Sequence, residues 1–374
     1  MNHTSRMIST YSADVFGVCS ALFELGGMVI MHDASGCNST YTTHDEPRWY
    51  DMESMVYISG LSEMEAIMGD DEKLIDDIVS AAQDLHPRFI AVAGTPIPTM
   101  TGFDFTAVAE LIEQRTGIPA FGFPTTGMNT YVHGAGMALS ALAERFVLPG
   151  VTKEKTVNLL GLTPLDFSVN GSDASLAEVL EQHGWHVQSS WAMGSSLEEI
   201  SASGDAQVNL VVSAAGLGAA RVLQRRFGIP YVVGIPYGRA WTQRLLEALE
   251  TAAAPRMPEL DGEDIVIIGE GVTSVSLACA IELETHRSAR VLCSTECDSA
   301  LLRRKDHLCR YEDELEAALH GAKCIIADPL FQPICPKDAA FLPLPAESFS
   351  GRIYRAQIPN LIADFEKMIR EVSL

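Results

Sequence analysis

Phe89-Ile-Ala-Val-Ala93 is a short, continuous apolar run, and the residues after it decide the fold. Gly94-Thr-Pro-Ile-Pro-Thr-Met-Thr-Gly102 follows, a loop whose two prolines break regular structure. A helical stretch, Phe105–Arg115, comes next and closes at Gly117, a residue suited to the left-handed position after a helix. A second apolar run, Ala120-Phe-Gly-Phe123, completes the pattern. Apolar runs without alternation fit strands buried on both faces, as in parallel sheets. Strand, helix, strand in this order is a βαβ unit with a right-handed crossover.

The same rhythm extends in both directions. Upstream, Leu74, Ile75, Ile78, Val79, Ala82 and Leu85 share one face of a helix over Glu72–Leu85. Downstream, a helix near His133–Phe146 leads to a linker at Val147–Lys155. The pattern then restarts with strands at Val157–Leu160, Val187–Trp191, Val208–Ser213 and Tyr231–Ile235, separated by helices at Ser175–His183, Ala219–Phe227 and Ala240–Ala254. After a second break at Ala254-Pro-Arg-Met-Pro258, a third round places strands at Ile265–Ile268, Val291–Cys293 and Cys324–Ala327. Its helices fall at Ser274–Glu284 and Glu312–Leu319, with a last one over Asn360–Val372. The expected fold class is α/β, with three consecutive Rossmann-like domains, each holding a parallel sheet. The expected domains are residues 1–150, 151–257 and 258–374.

Composition narrows the function classes. The 374 residues are 47% hydrophobic and 20% charged, enough apolar content for large cores. Lys and Arg total 26 against 49 Asp and Glu, a net charge of −23. Nucleic acid and anionic membrane surfaces both select a positive field, so neither is expected as a partner. No apolar stretch reaches the ~18 residues of a membrane span, and the first ten residues lack the apolar core of a signal peptide. A cytoplasmic protein is expected, in which the eight cysteines are thiols or metal ligands rather than a disulfide framework.

The most unusual segment runs from Met28 to Arg48. The apolar Met28–Met31 ends in His32-Asp33 and reaches Cys37 through Gly36. Ligands of open α/β sheets bind at the carboxyl ends of strands, and Gly36 lets the backbone approach a bulky group. Cys37 is therefore a candidate metal or Fe–S ligand, with an inert buried thiol as the competing reading. Beyond it, His44, Asp45, Glu46 and Arg48 can line a substrate pocket or docking face, or form a solvated loop. Cys19, in the apolar helical stretch Val15–Leu22, is a second candidate ligand, with a core cysteine as the competing reading. Cys279 and Cys324 read as core residues, Cys293 and Cys297 form a CxxxC pair wider than the tight CxxC of strong metal sites, and Cys335 lies in a proline-bounded loop. Gly269-Glu-Gly271 opens a dinucleotide fingerprint that ends in Ser274 instead of Gly or Ala. The chain contains no GxxxxGK[ST] loop, so no ATP site is expected in it.

Taken in order, several stretches resemble the nitrogenase component 1 superfamily. His32-Asp-Ala-Ser-Gly-Cys37 resembles its cluster loop. Gly69-Asp-Asp-Glu-Lys-Leu74 resembles a helix start of that family, and Ile90-Ala-Val-Ala-Gly-Thr95-Pro a strand leading to a cluster cysteine. Val157-Asn-Leu-Leu-Gly161 and Phe227-Gly-Ile-Pro-Tyr231 resemble parts of its middle domain. The resemblance implies three Rossmann-like domains, a dimer, and a [4Fe–4S] cluster near the subunit interface. It also implies a separate iron-protein ATPase that delivers low-potential electrons, in keeping with the missing ATP loop.

This sequence departs from the family's three-cysteine set. Cys37 matches the middle cysteine, Thr95 stands where the last belongs, and no cysteine lies near Tyr11–Asp14. In a homodimer, two Cys37 thiolates with Cys19 or Asp14 from each chain would complete four ligands. The expected function is a reductase component that reduces an unsaturated small molecule other than dinitrogen, held between domains, with His32, Asp33 and His44 as proton donors. The alternative is a non-catalytic scaffold for metallocluster or tetrapyrrole assembly, in a homodimer or with a homologous subunit. A dinucleotide-dependent dehydrogenase using Gly269 and Gly271 is the third reading.

Overall fold

The apolar run at residues 90–93 is a fully buried strand inside the first of three parallel sheets. The computed structural model describes residues 6–7, 13–34 and 45–372. The first domain runs α1 (Asp14–Leu22), β1 (Met28–Met31), β2 (Met55–Ile58), α2 (Glu63–Met68), α3 (Asp71–Leu85), β3 (Ile90–Ala93), α4 (Pro96–Thr101), α5 (Phe105–Thr116), β4 (Ala120–Phe123) and α6 (Tyr131–Arg145). Its sheet has the order β2-β1-β3-β4 with every pair parallel. Gly117 ends α5 at φ 72°, the left-handed cap that its identity calls for.

The middle domain repeats the plan. It holds β5 (Thr156–Leu160), α7 (Pro164–Phe167), α8 (Ser172–Gln182), β6 (His186–Ser190), α9 (Leu197–Ser201), β7 (Val208–Val211), α10 (Leu217–Phe227), β8 (Tyr231–Val233) and α11 (Arg239–Thr251), with sheet order β6-β5-β7-β8. The third holds β9 (Ile265–Gly269), α12 (Gly271–Thr285), β10 (Ala289–Cys293), β11 (His307–Leu308), α13 (Glu312–Ala318), β12 (Cys324–Ala327), β13 (Ala340–Pro343), α14 (Glu347–Ser350) and α15 (Leu361–Val372), ordered β11-β10-β9-β12-β13. The chain enters each sheet at an inner strand, builds outward on one side, then crosses to the other. Each domain thus has a switch point beside its first strand, where a crevice opens at the carboxyl ends.

Two packing features stand out. Helices α1 and α6 pass with backbone nearly touching: a Cβ on Gly17 would lie 2.0 Å from the Tyr131 carbonyl oxygen, and one on Gly134 1.8 Å from that of Asp14. The last helix, α15, packs on α8 and also lies beside β12 and β13 of the third sheet. Its Phe365 lies beneath Gly238, and Asn360 just ahead of it donates from Nδ2 to Ser175 Oγ at 2.9 Å. Residues of this helix therefore contribute to the core that the middle and third domains share. Among the described residues no helix is long and apolar enough to cross a membrane.

Candidate functional site

The rim of the first sheet gathers several of the expected site residues. His32 and Asp33 follow β1, and Thr95 follows the adjacent β3. Thr95 donates from Oγ1 to the His32 carbonyl at 2.9 Å, and Ser59, after β2, lies 2.9 Å from His32 Nδ1. The Asp33 amide donates to the same Ser59 hydroxyl at 3.1 Å. The His32 ring packs on Phe103 with centroids 4.4 Å apart. Burial pushes the His32 imidazole down to about 4, so near neutral pH it is uncharged. This weakens the expectation of a proton-donating imidazolium, because the ring has little affinity for the second proton it would give away. Gly36, Cys37 and His44 lie outside the described residues.

Two expected cluster ligands have other roles in the structure. Asp14 caps the start of α1, and its Oδ1 accepts from the amides of Val15 at 2.9 Å and Gly127 at 2.8 Å. Its Oδ2 accepts from the Thr126 amide at 3.0 Å and from Asn129 Nδ2 at 3.3 Å. A carboxylate has about four acceptor positions, and these four donors occupy them. Asp14 thus ties α1 to the 126–129 loop and has no free position for iron. Cys19 is fully buried in the core, where burial and the nearby Glu46 push its thiol far above the ordinary range. The described rim therefore does not fit a cluster on its own: it supplies no set of ionisable thiolates, and Thr95 contributes a hydroxyl already donated elsewhere.

The stretch after His44 is neither solvated nor a pocket wall. Glu46 and Arg48 are buried, and Arg48 donates to Glu46 at 2.7 Å, Glu24 at 2.8 Å, the Ser20 carbonyl at 2.8 Å and the Ala192 carbonyl at 2.8 Å. Glu46 also accepts from Ser20 Oγ at 2.7 Å. The network clamps the first domain to the middle one.

A second group of acids, absent from the expected set, stands at the other two switch points. A cavity of about 80 Å³ lies between the middle and third domains, lined among others by Asp166, Tyr237, Glu270, Ser274 and Asp328. Asp166 follows β5, Glu270 follows β9 and Asp328 follows β12. The hydroxyl of Tyr131, from α6 of the first domain, donates to Asp166 Oδ1, and Thr163 Oγ1 donates to Oδ2 at 2.8 Å. Burial, reinforced by the charge of Glu270, pushes Asp166 up to about 7. Burial also raises Glu270 and Asp328. The arrangement keeps a transferable proton on a carboxyl group beside an internal cavity at neutral pH.

Glu270 also bears on the dehydrogenase reading. Its carboxylate accepts from the amides of Val272 at 3.1 Å, Thr273 at 2.8 Å and Ala214 at 2.8 Å. A dinucleotide would place its pyrophosphate at this helix start. Here a carboxylate already fills the position, so the Gly269-Glu-Gly271 turn is not a dinucleotide cradle.

The three parallel sheets, with acids at the joins, define a three-domain α/β architecture with a crevice at each switch point. The chain belongs to the nitrogenase component 1 type oxidoreductases, whose family model matches residues 14–268. It is 25% identical over 284 residues to the nitrogenase iron-molybdenum cofactor biosynthesis protein NifE of Nostoc sp. (strain PCC 7120 / SAG 25.82 / UTEX 2576), covering 67% of this chain and 58% of that protein. It is 29% identical over 191 residues to a light-independent protochlorophyllide reductase polypeptide of Prosthecochloris aestuarii (strain DSM 271 / SK 413), covering 48% and 35%. With the nitrogenase molybdenum-iron protein alpha chain of Clostridium pasteurianum it shares 26% over 182 residues, 47% and 33% of the two chains. The chain thus spans between a third and three-fifths of these relatives. The solved structure "Nitrogenase Cp1 at pH 6.5" superposes with a TM-score of 0.70 at 16% identity, over 100% of this chain and 93% of that one, which establishes the shared fold.

Proposed function

We propose that this protein is the substrate-reducing component of a two-component system, receiving low-potential electrons from an ATP-hydrolysing iron protein. The reading rests on Asp166, a buried carboxyl group that holds its proton to about pH 7 while facing the cavity between domains. Reducing an unsaturated bond consumes protons along with electrons, and a donor matched to ambient pH is the group such a step requires. Tyr131 orients the acid through its hydroxyl. Glu270, held by three backbone amides, keeps the Asp166 proton in place by disfavouring a second nearby charge. The substrate is a small unsaturated molecule admitted between the middle and third domains. Cys37 would supply one thiolate per chain to a [4Fe–4S] cluster shared by two chains, with the remaining ligands coming from residues other than Asp14 and Cys19.

The scaffold reading has one observation in its favour: the NifE relative aligns over 67% of this chain, against 48% for the protochlorophyllide reductase polypeptide. One experiment separates the two. Anaerobic protein is mixed with an iron protein, MgATP, reductant and a panel of small unsaturated acceptors. Sustained oxidation of reductant above that of the iron protein alone, falling about 100-fold in Asp166→Asn, supports the reductase. Iron that transfers to an acceptor apoprotein with no electron consumption overturns it in favour of the scaffold.

A further inference from the structure

The corner between β10 and α12 carries a thiol pair that the proposed reduction does not use. Cys293 ends β10 and is fully buried; Cys297 lies four residues on and is half-buried. Neither is in a disulfide; the Cys293 thiol donates to the Thr295 carbonyl at 3.5 Å and the Cys297 thiol to the Asp298 carbonyl at 3.4 Å. Both sulfurs sit over Gly271, the first residue of the 15-residue α12. A Cβ at that position would lie 2.4 Å from the Cys297 sulfur and 3.7 Å from the Cys293 sulfur, so only glycine leaves room for the pair. Among the described residues no group of three side chains around them could hold a metal ion.

The segment 294–298 joins all three domains. Glu296 accepts from the Thr130 amide at 2.9 Å and from the Thr130 hydroxyl, capping α6 of the first domain. Asp298 pairs with Arg221 on α10 of the middle domain. Anything that shortens the span from Cys293 to Cys297 pulls on both ties.

We propose that Cys293 and Cys297 form an oxidation-sensitive dithiol whose oxidant is a hydroperoxide, a class small enough to enter beside the half-buried Cys297. One sulfur, as thiolate, attacks the peroxide oxygen. The O–O bond breaks, a sulfenic acid forms, and hydroxide or alkoxide leaves. The second thiol then attacks the sulfenic sulfur, forming the S–S bond and releasing water. In total the two thiols lose two protons and two electrons, and the peroxide is reduced to water, or to water and an alcohol. Glu270 takes the amides at the start of α12, and the neighbouring Cys293 together with burial holds the Cys297 thiol well above its ordinary range, so the thiolate is a minor form and the bond closes slowly. Closing the bond places the loop bearing Glu296 and Asp298 under redox control.

The test needs only the full chain. Protein is treated with stoichiometric hydrogen peroxide, blocked with an alkylating agent, cut with trypsin and analysed by mass. The tryptic peptide 291–303 contains both cysteines. It is expected unalkylated and lighter by two hydrogens, with a reductant restoring two alkylation sites. In Cys293→Ser the remaining Cys297 is expected as a sulfenic acid trapped by dimedone. Recovery of the wild-type peptide with both cysteines alkylated, over-oxidised without the bridge, or bridged to a different cysteine overturns the proposal. Because the readout is covalent, failure of the reductase reading would leave the result unchanged.

Discussion

Replacing Asp166 with Asn tests the acid at the cavity without any knowledge of the substrate. Asn mimics the protonated carboxyl: its carbonyl can accept from the Tyr131 hydroxyl, and its amide can donate toward Thr163. The wild-type carboxyl titrates at about 7 in the folded chain against 3.8 as the ordinary value. The folded state therefore binds more protons than the unfolded one between those values, and stability is lost as pH rises through that window. At about 1.4 kcal/mol per unit, the wild type pays about 2 kcal/mol relative to a permanently neutral side chain at pH 5 and about 4 kcal/mol at pH 8. Urea unfolding at the two pH values is expected to show the advantage of Asp166→Asn growing by roughly 2–3 kcal/mol from acid to alkaline conditions. Relief of Glu270, which loses a charged neighbour, adds in the same direction. Parallel pH profiles for the two proteins would refute the reasoning, because they would mean that Asp166 is ionised in the folded chain.

Other substitutions probe the frame around the site. Gly134→Ala drives a methyl group into the Asp14 carbonyl at the α1–α6 crossing and is expected to cost about 1–3 kcal/mol in chemical unfolding. Asp14→Ala strands the amides of Thr126 and Gly127, with an expected loss of ~3 kcal/mol in the same assay. Arg48→Met leaves Glu46 buried without its guanidinium partner, for about 3–5 kcal/mol. His32→Gln should flatten the acid limb of the stability profile. The folded imidazole sits at about 4 against 6.5, so the wild type loses up to about 3 kcal/mol as pH falls through that interval and the variant does not.

Much of the fold was legible because its inner strands are buried on both faces. Phe89–Ala93, Val208–Ser213 and Ile265–Ile268 are largely apolar runs, and glycines such as Gly117 mark where helices stop. Three of the edge strands lacked that signal. Met55–Ile58 is only partly buried, His307–Leu308 is two residues long, and Ala340–Pro343 ends in proline. The rim of the first sheet was readable from His32-Asp33 and Thr95 because all three follow apolar runs. The cavity acids were not recognised, although each also follows a strand. Thr163-Pro-Leu-Asp166 has the look of a helix cap, and the Thr163 side chain does accept from the Asp166 amide. What makes Asp166 an unusually weak acid is its burial beside Glu270, brought from another domain, and no local pattern records that convergence. The same holds for Asp14 and Cys19, whose burial comes from α6 and the surrounding core rather than from their own neighbours in sequence.

The proposed reductase needs a place where electrons arrive, and Cys37 is the residue proposed to hold its iron. Iron and acid-labile sulfide, measured on anaerobically purified wild type and Cys37→Ala, test it most directly. The expected result is about two iron atoms per chain, equivalent to one [4Fe–4S] cluster per dimer, and their loss in the variant while the far-ultraviolet spectrum is kept. A wild type without iron, or a variant that retains the full complement, would contradict it.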